Sequence, residues 1–192
     1  VLAALGDLER SLDAGAVAAA RVERVEPDLP AGELTPKAIG QSVNLLLPEG
    51  AIVVDEGATA GLELFAETVA ARQHDYLYSI PGAAIGGGMP VALGAAVACP
   101  DRKVVALQAD GSGMYTNQAL WTIAHENCDI TIVILKNDSY AVLNVELARV
   151  RDDEPTPKML SMLDLSQPSI DWVRIAEGMG VRATKATTVE EF

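Results

Sequence analysis

From residue 35 onward, short apolar runs alternate with longer amphipathic or small-residue stretches. The runs are "AIVVDEG", "DYLYSI", "RKVVALQADG" and "DITIVILKND", and each closes on polar or turn-forming residues. Between them lie "AGLELFAETVAAR", "GGGMPVALGAAVACP" and "TNQALWTIAHEN", which read as helices. Short continuous apolar runs bounded by turn residues fit strands buried on both faces, and their alternation with helices predicts parallel βαβ units. The expected fold class is therefore α/β: a three-layer α/β/α, doubly wound, mostly parallel sheet.

Flanking patterns extend this frame. "TPKAIGQSVNLLL" predicts a helix with Thr35 as N-cap and Pro36 at its first position, with Ile39, Val43 and Leu46 or Leu47 on one face. Residues 1–24 are Ala-rich and helical in pattern, and 25–36 hold three prolines and read as a linker. Later, "SIDWVRIAEGMG" predicts a helix with a glycine stop, "VRAT" a strand, and "TTVEEF" the start of another helix with a Thr cap. Residues 150–168, with three prolines, predict a long irregular connection. Loops of this length are often functional or mobile, so this one is expected to be the mobile part of a site.

Composition narrows the function. The 192 residues suffice for one α/β domain with flanking material, and 49% hydrophobic residues supply a sizeable core. A formal charge of −13 argues against nucleic acid or an anionic membrane as partner. It leaves room for an anionic small ligand, which backbone N–H groups hold locally. No run reaches membrane-spanning length and no secretory signal is visible, so a cytoplasmic location is expected. The chain starts without Met in a helical pattern and reads as a piece of a longer protein. Cys99 and Cys128 lack metal-ligand spacing and are expected to be buried thiols. His74 and His125 are isolated, and His125 fits a helix surface or core better than a catalytic role.

The candidate chemistry lies at two run ends, Asp110-Gly111-Ser112 and Asn137-Asp138-Ser139. In an open parallel sheet, ligands sit beyond the carboxyl ends of the strands. If the two strands are neighbours, Asp110 and Asn137 face one crevice. A carboxylate, an amide oxygen and nearby carbonyls form a hard oxygen site suited to Mg²⁺ that shares its shell with phosphate. The N–H groups of Gly111 and Ser112 and the Ser112 hydroxyl are placed to hold that phosphate. Two ordinary turns with a helix cap explain the same residues, and the residues alone leave both readings open.

"ADGSGMYTNQALWTIAHENCDITIVILKNDSY" resembles the thiamine-diphosphate signature, a GDG followed some 25 to 30 residues later by NN. "PGAAIGGGMPVALGAAVACPDRKVVALQADGS" resembles the preceding segment of acetolactate synthases and benzoylformate decarboxylases. The likeness runs from about residue 36 to 192 and matches the diphosphate-binding domain, the C-terminal third of these enzymes. It implies the thiamine-diphosphate-binding fold over 35–192, cut short at its end. Residues 1–34 then form the tail of the preceding middle domain and the linker.

By position, the resemblance implies Mg²⁺ ligation by the side chains of Asp110 and Asn137 and the carbonyl of Ser139. Gly111 and Ser112 would hold the diphosphate of thiamine diphosphate, with Thr59 and Tyr140 touching it. Ile85 would lie under the thiazolium and bend the cofactor, bringing the aminopyrimidine N4′ near the reactive C2. Ala83 would accept a hydrogen bond from that amino group. The glutamate that activates the cofactor in this family lies in the N-terminal pyrimidine-binding domain of a partner subunit. No residue here is assigned to that role, Glu56 being read as a loop residue near the pocket. The departures are Ala109 for the first Gly of GDG, Lys136 for the first Asn of NN, and "AVLNVELARV" with Glu146 after Tyr140. Lys136 is expected to neutralise phosphate charge or to point into solvent.

The resemblance implies an acetolactate synthase large-subunit-like 2-oxoacid carboligase or decarboxylase. It would act on a small 2-oxoacid as a homodimer or homotetramer. Benzoylformate decarboxylase-like and 2-hydroxyacyl-CoA lyase-like enzymes are the alternatives, with a non-catalytic subunit that kept the fold as a different class. A nicotinamide-binding Rossmann protein fits poorly, because no glycine fingerprint follows "AIVVDEG". The isolated chain is expected to be inactive.

Overall fold

The computed structural model describes residues 2–12, 22–78, 84–150 and 153–192. Four strands, β1 (Ala51–Glu56), β2 (His74–Tyr78), β3 (Val104–Ala109) and β4 (Ile130–Leu135), form one parallel sheet in the order β2-β1-β3-β4. Because side chains alternate along a strand, the sheet has two distinct apolar faces. Ala51, Val53, Val105 and Leu107 pack with Val43, Leu47 and Leu64. These come from α2 (Pro36–Leu46) with its C-cap and from α3 (Gly61–Thr68). Ile52, Val54, Val104 and Ala106 instead meet Ala92 and Ala96 of α4 (Gly88–Ala98). On that second face Met89, Ala119, Leu120, Trp172 and Ala176 extend the core, bringing in α6 (Ala119–His125) and α9 (Trp172–Gly178). Helices cover both faces, which makes the expected three-layer, doubly wound α/β/α arrangement.

Local signals account for the helix starts. Thr35 caps α2 by accepting a hydrogen bond from Ala38 N at 3.1 Å, and Pro36 occupies the first turn. Asp171 caps α9 through Arg174 N at 3.1 Å. The Ala-rich N-terminal pattern gives α1 (Leu2–Leu12), and 13–21 lie outside the described residues. Among the described residues no helix is long and apolar enough to cross a membrane.

The connection from β1 leads to β2 on one side of it, whereas β3 leads through α6 to β4 on the other. The chain thus reverses direction between β1 and β3, and their carboxyl ends flank the crevice where open α/β sheets bind ligands.

Four expectations are corrected. Residues 181–184 form no strand: Val181 N bonds back to Ala176 O at 2.9 Å, and the segment pairs with no strand among the described residues. Residues 187–192 form a turn rather than a helix, with Glu191 accepting from Thr187 N and Oγ1 at 2.7 Å each. The segment after α7 (Ala141–Val150) is not irregular throughout. Thr156 caps the short α8 (Pro157–Ser161), and the chain then returns to bridge the loop after β4 through Ser139 and Asp164. The cysteines are free and half-buried rather than fully buried.

Candidate functional site

Residue-by-residue pairing of β3 with β4, ending at Ala109 opposite Leu135, brings the two polar run ends together. Asp110 opens the single-turn α5 (Asp110–Gly113) and is 1% exposed. Its Oδ1 accepts from Gly111 N at 2.9 Å and its Oδ2 from Asp138 N at 2.8 Å. Asn137 is exposed, and its Oδ1 accepts from Ser139 N at 3.0 Å, an Asx turn. Asp138 sits in the left-handed region at φ 54, which turns its N–H toward Asp110. Consecutive amides of one loop therefore hold both candidate oxygen donors.

The loop is braced from behind. Tyr140 N donates to Leu163 O at 2.9 Å and Leu165 N to Asp138 O at 2.8 Å. Lys136 is exposed, and its ammonium pairs with Asp138 and donates to Ser169 Oγ at 2.8 Å. The Lys136 hydrogen bond, aided by Ser169, holds the Asp138 carboxyl below its ordinary pKa.

Gly111 and Ser112 are buried within α5. A Cβ on Gly111 would lie 2.6 Å from Tyr140 Cε1, so the tyrosine ring lies flush against a position that tolerates no side chain. Burial and a hydrogen bond with Tyr115 raise the Tyr140 phenol above its ordinary pKa. The Ser112 hydroxyl already bonds Ala109 O at 3.2 Å and Gln108 Nε2 at 2.7 Å. Thr59 is exposed in the 3₁₀ turn Ala58–Ala60 beyond β1, at the other wall of the crevice. Ile85 is 47% exposed just before the glycine turn that starts α4. Ala83 lies outside the described residues.

At the end of β1 the structure places Glu56 on the strand rather than in a loop, and it adds Asp55, Tyr76 and Gln108, which the sequence did not single out. Glu56 and Gln108 are direct partners across β1 and β3 and face the α4 side. The Glu56 carboxylate accepts from the N–H groups of Gly86, Gly87 and Gly88 and from Gln108 Nε2. Asp55, on the opposite face, accepts from Tyr76 Oη at 2.7 Å and Gly57 N at 2.6 Å. Burial pushes the Asp55 carboxyl above its ordinary pKa, partly offset by those two bonds, and burial together with Asp55 pushes the Tyr76 phenol up. A cavity of ≈ 290 Å³ opens beside these groups, lined among others by Val54, Glu56, Tyr78, Gly88 and Val91. The sequence signal for this network was a Gln inside the apolar run "VVALQA" and an acid pair closing "AIVVDE".

Among the described residues no three His, Cys, Asp or Glu side chains gather as a metal cage. The donor set around Asp110 holds one carboxylate, one amide oxygen and backbone carbonyls. Such a set fits Mg²⁺, which keeps waters and borrows ligands from a bound phosphate.

The family model "Thiamine pyrophosphate enzyme, C-terminal TPP binding domain" matches residues 62–192. The chain is 52% identical over 86% of its length to the Mycobacterium tuberculosis protein named "Putative acetolactate synthase large subunit IlvX", covering 32% of that protein. It is 33% identical over 84% of its length to the benzoylformate decarboxylase of Pseudomonas aeruginosa, covering 29% of it. Among solved structures, the Rhodococcus jostii thiamine diphosphate-dependent 4-hydroxybenzoylformate decarboxylase superposes with a TM-score of 0.69 at 31% identity, over 91% of this chain and 31% of that one. The chain thus spans about a third of the length of the curated relatives it matches.

Proposed function

We propose a function from the premise that this chain belongs to the thiamine pyrophosphate enzymes, as their C-terminal TPP binding domain. In that reading residues 35–192 are the cofactor-binding domain, and 1–34 are the tail of a preceding domain and its linker. The whole protein is a 2-oxoacid carboligase or decarboxylase of the acetolactate synthase large-subunit type, and this chain supplies the Mg²⁺, diphosphate and thiazolium half of its active site. Asp110, Asn137 and the Ser139 carbonyl hold Mg²⁺. Gly111 and Ser112 hold the diphosphate, flanked by Thr59 and Tyr140. Ile85 packs against the thiazolium and Ala83 meets the aminopyrimidine. Bound thiamine diphosphate supplies the nucleophile for a 2-oxoacid carbonyl and the sink for its electrons.

The observation that carries this reading is the convergence of Asp110 and the 137–139 loop at the ends of paired strands, with Asp138 N bonded to Asp110 Oδ2 at 2.8 Å. A buried carboxylate with two backbone donors keeps acceptor capacity for a metal. The chain's own work is to bind, orient and exclude water. No described carboxylate stands free beside the cavity as a base, because Glu56 and Asp55 are both engaged. On this reading, as the family resemblance implies, the activating glutamate comes from the pyrimidine-binding domain of a partner subunit, in a homodimer or homotetramer, and the isolated chain neither decarboxylates nor ligates.

The identities to two benzoylformate-type decarboxylases favour a second reading, in which the 2-oxoacid is decarboxylated without being joined to an acceptor. Calorimetric titration of the full-length protein with thiamine diphosphate and Mg²⁺ tests the shared core of both. Saturable, Mg²⁺-dependent binding that Asp110→Ala abolishes is the expected result. Unchanged affinity in the variant removes Asp110 from the site.

A further inference from the structure

We infer that Glu56 is a positioning residue. Its carboxylate sets the turn that carries Ile85 against the turn that holds the diphosphate. The inference rests on the cofactor reading above but concerns a residue to which that reading gives no part.

Alternation along β1 and β3 dictates the contact. Glu56 falls on the same face as Ile52 and Val54, and Gln108 on that of Val104 and Ala106, so both point toward α4. There the carboxylate meets the N–H groups of the turn entering α4, Gly86 to Gly88, of which those of the cap Gly87 and the first residue Gly88 have no partners inside the helix. Oε1 accepts from Gly86 N at 2.6 Å and Gly87 N at 3.2 Å; Oε2 accepts from Gly88 N at 2.8 Å and Gln108 Nε2 at 2.9 Å. Four donors match the lone-pair capacity of a carboxylate. In many α/β folds such a helix start binds a ligand phosphate; here the protein's own acid fills it, and the diphosphate is left to α5.

The same network reaches the diphosphate turn. Gln108, fully buried, donates to Ser112 Oγ at 2.7 Å as well as to Glu56. From the other side Thr116 Oγ1 donates to Gly86 O at 2.7 Å, and a Cβ on Gly86 would lie 3.5 Å from Ser112 O. Gly86 also has φ 87, and a Cβ on Gly88 would fall 2.2 Å from Gln108 Oε1, so glycine is required at both positions. The residue immediately before this clamped turn is Ile85. Its own exposure, 47%, gives it little packing to hold it in place. The Glu56 hydrogen bonds supply what packing does not.

The test separates the two ends of the cofactor. The full-length protein and its Glu56→Gln variant are titrated, with Mg²⁺ present, against thiamine diphosphate and against inorganic pyrophosphate, which engages the diphosphate turn alone. Glu56→Gln keeps the size but turns an NH₂ toward N–H donors. Affinity for thiamine diphosphate should fall about tenfold, the scale of losing hydrogen bonds to a charged group. Affinity for pyrophosphate should stay within about twofold. Glu56→Asp keeps the charge but shortens the reach; it should show the same split, smaller, and it serves if the amide variant fails to fold. Equal losses for both ligands would make Glu56 a general structural residue and overturn the inference, as would no loss for either. A parent protein that binds thiamine diphosphate but not pyrophosphate would overturn the separation of the two ends. A parent that binds neither would overturn the cofactor reading itself, and this inference with it.

Discussion

The ends of β1 and β3 each present an acid to the same crevice, Glu56 half-buried and Asp110 buried, and the two acids are used in opposite ways. Glu56 spends its carboxylate on four donors of the protein itself. Asp110 receives two, from Gly111 N and Asp138 N, and keeps half of its acceptor capacity. One acid is a strut and the other has oxygen lone pairs to offer. The presence of a carboxylate at a strand end therefore does not identify a ligand site; the count of donors already aimed at it does.

Substitutions at the two ends should separate most widely in their metal dependence. Asp110→Asn should raise the Mg²⁺ concentration required for ligand binding by about 100-fold or more, whereas Glu56→Gln should leave the Mg²⁺ midpoint within about threefold, both read from Mg²⁺ titrations at fixed inorganic pyrophosphate. A comparable Mg²⁺ shift in both variants would break the distinction.

The packing of the β3 end is tested next. Gly111→Ala forces a methyl group into the Tyr140 ring and should cost about 1–3 kcal/mol in denaturant unfolding. The loss should diminish with Tyr140→Ala in the background, because the clash is then gone. At the β1 side, Ile85→Ala should weaken thiamine diphosphate affinity about tenfold, as Glu56→Gln does, and lower kcat at saturating cofactor by more, about 30-fold. Its unfolding free energy should move by no more than about 0.5 kcal/mol, because the side chain is half-exposed.

The smallest effect concerns Asp55. Its folded-state pKa is raised, chiefly by burial, so the protonated form is favoured on folding. The stability this contributes is complete below the ordinary aspartate pKa and is lost as pH rises through the higher folded value. Asp55→Asn, which carries no proton to lose, should flatten that decline in unfolding free energy measured across the acidic range. An unchanged pH profile would show that Asp55 is not the group responsible.

The β3–β4 end was legible in the sequence because it depends on short-range pattern: an apolar run, a helix and a second run bring Asp110 and Asn137 together once the strands are neighbours. Thr35 and Pro36 announced α2 for the same local reason. The β1 end was not legible. Glu56 meets Gly86, Gly87 and Gly88 across 30 to 32 residues and Gln108 across 52, and only the sheet register places them in contact. "VRAT" misled because β-branched residues express a tendency that a partner strand must complete. The segment 150–168 misled in the other direction. Its prolines suggested an irregular connection throughout, yet Pro157 starts a helix behind its Thr156 cap, and Leu163 and Leu165 bond the loop after β4. The pairing of Lys136 with Asp138 was likewise invisible in the sequence, which offered only phosphate or solvent as its surroundings.

The most direct test of the account is to locate the metal. Crystals of the full-length protein grown with thiamine diphosphate and Mn²⁺ in place of Mg²⁺ would show the ion by its anomalous scattering. The account predicts one peak beside the Asp110 carboxylate and the Asn137 amide oxygen, with the Glu56 carboxylate still bonded to the amides of residues 86–88. A peak against Glu56, or a cofactor diphosphate held at the start of α4 in its place, would contradict it.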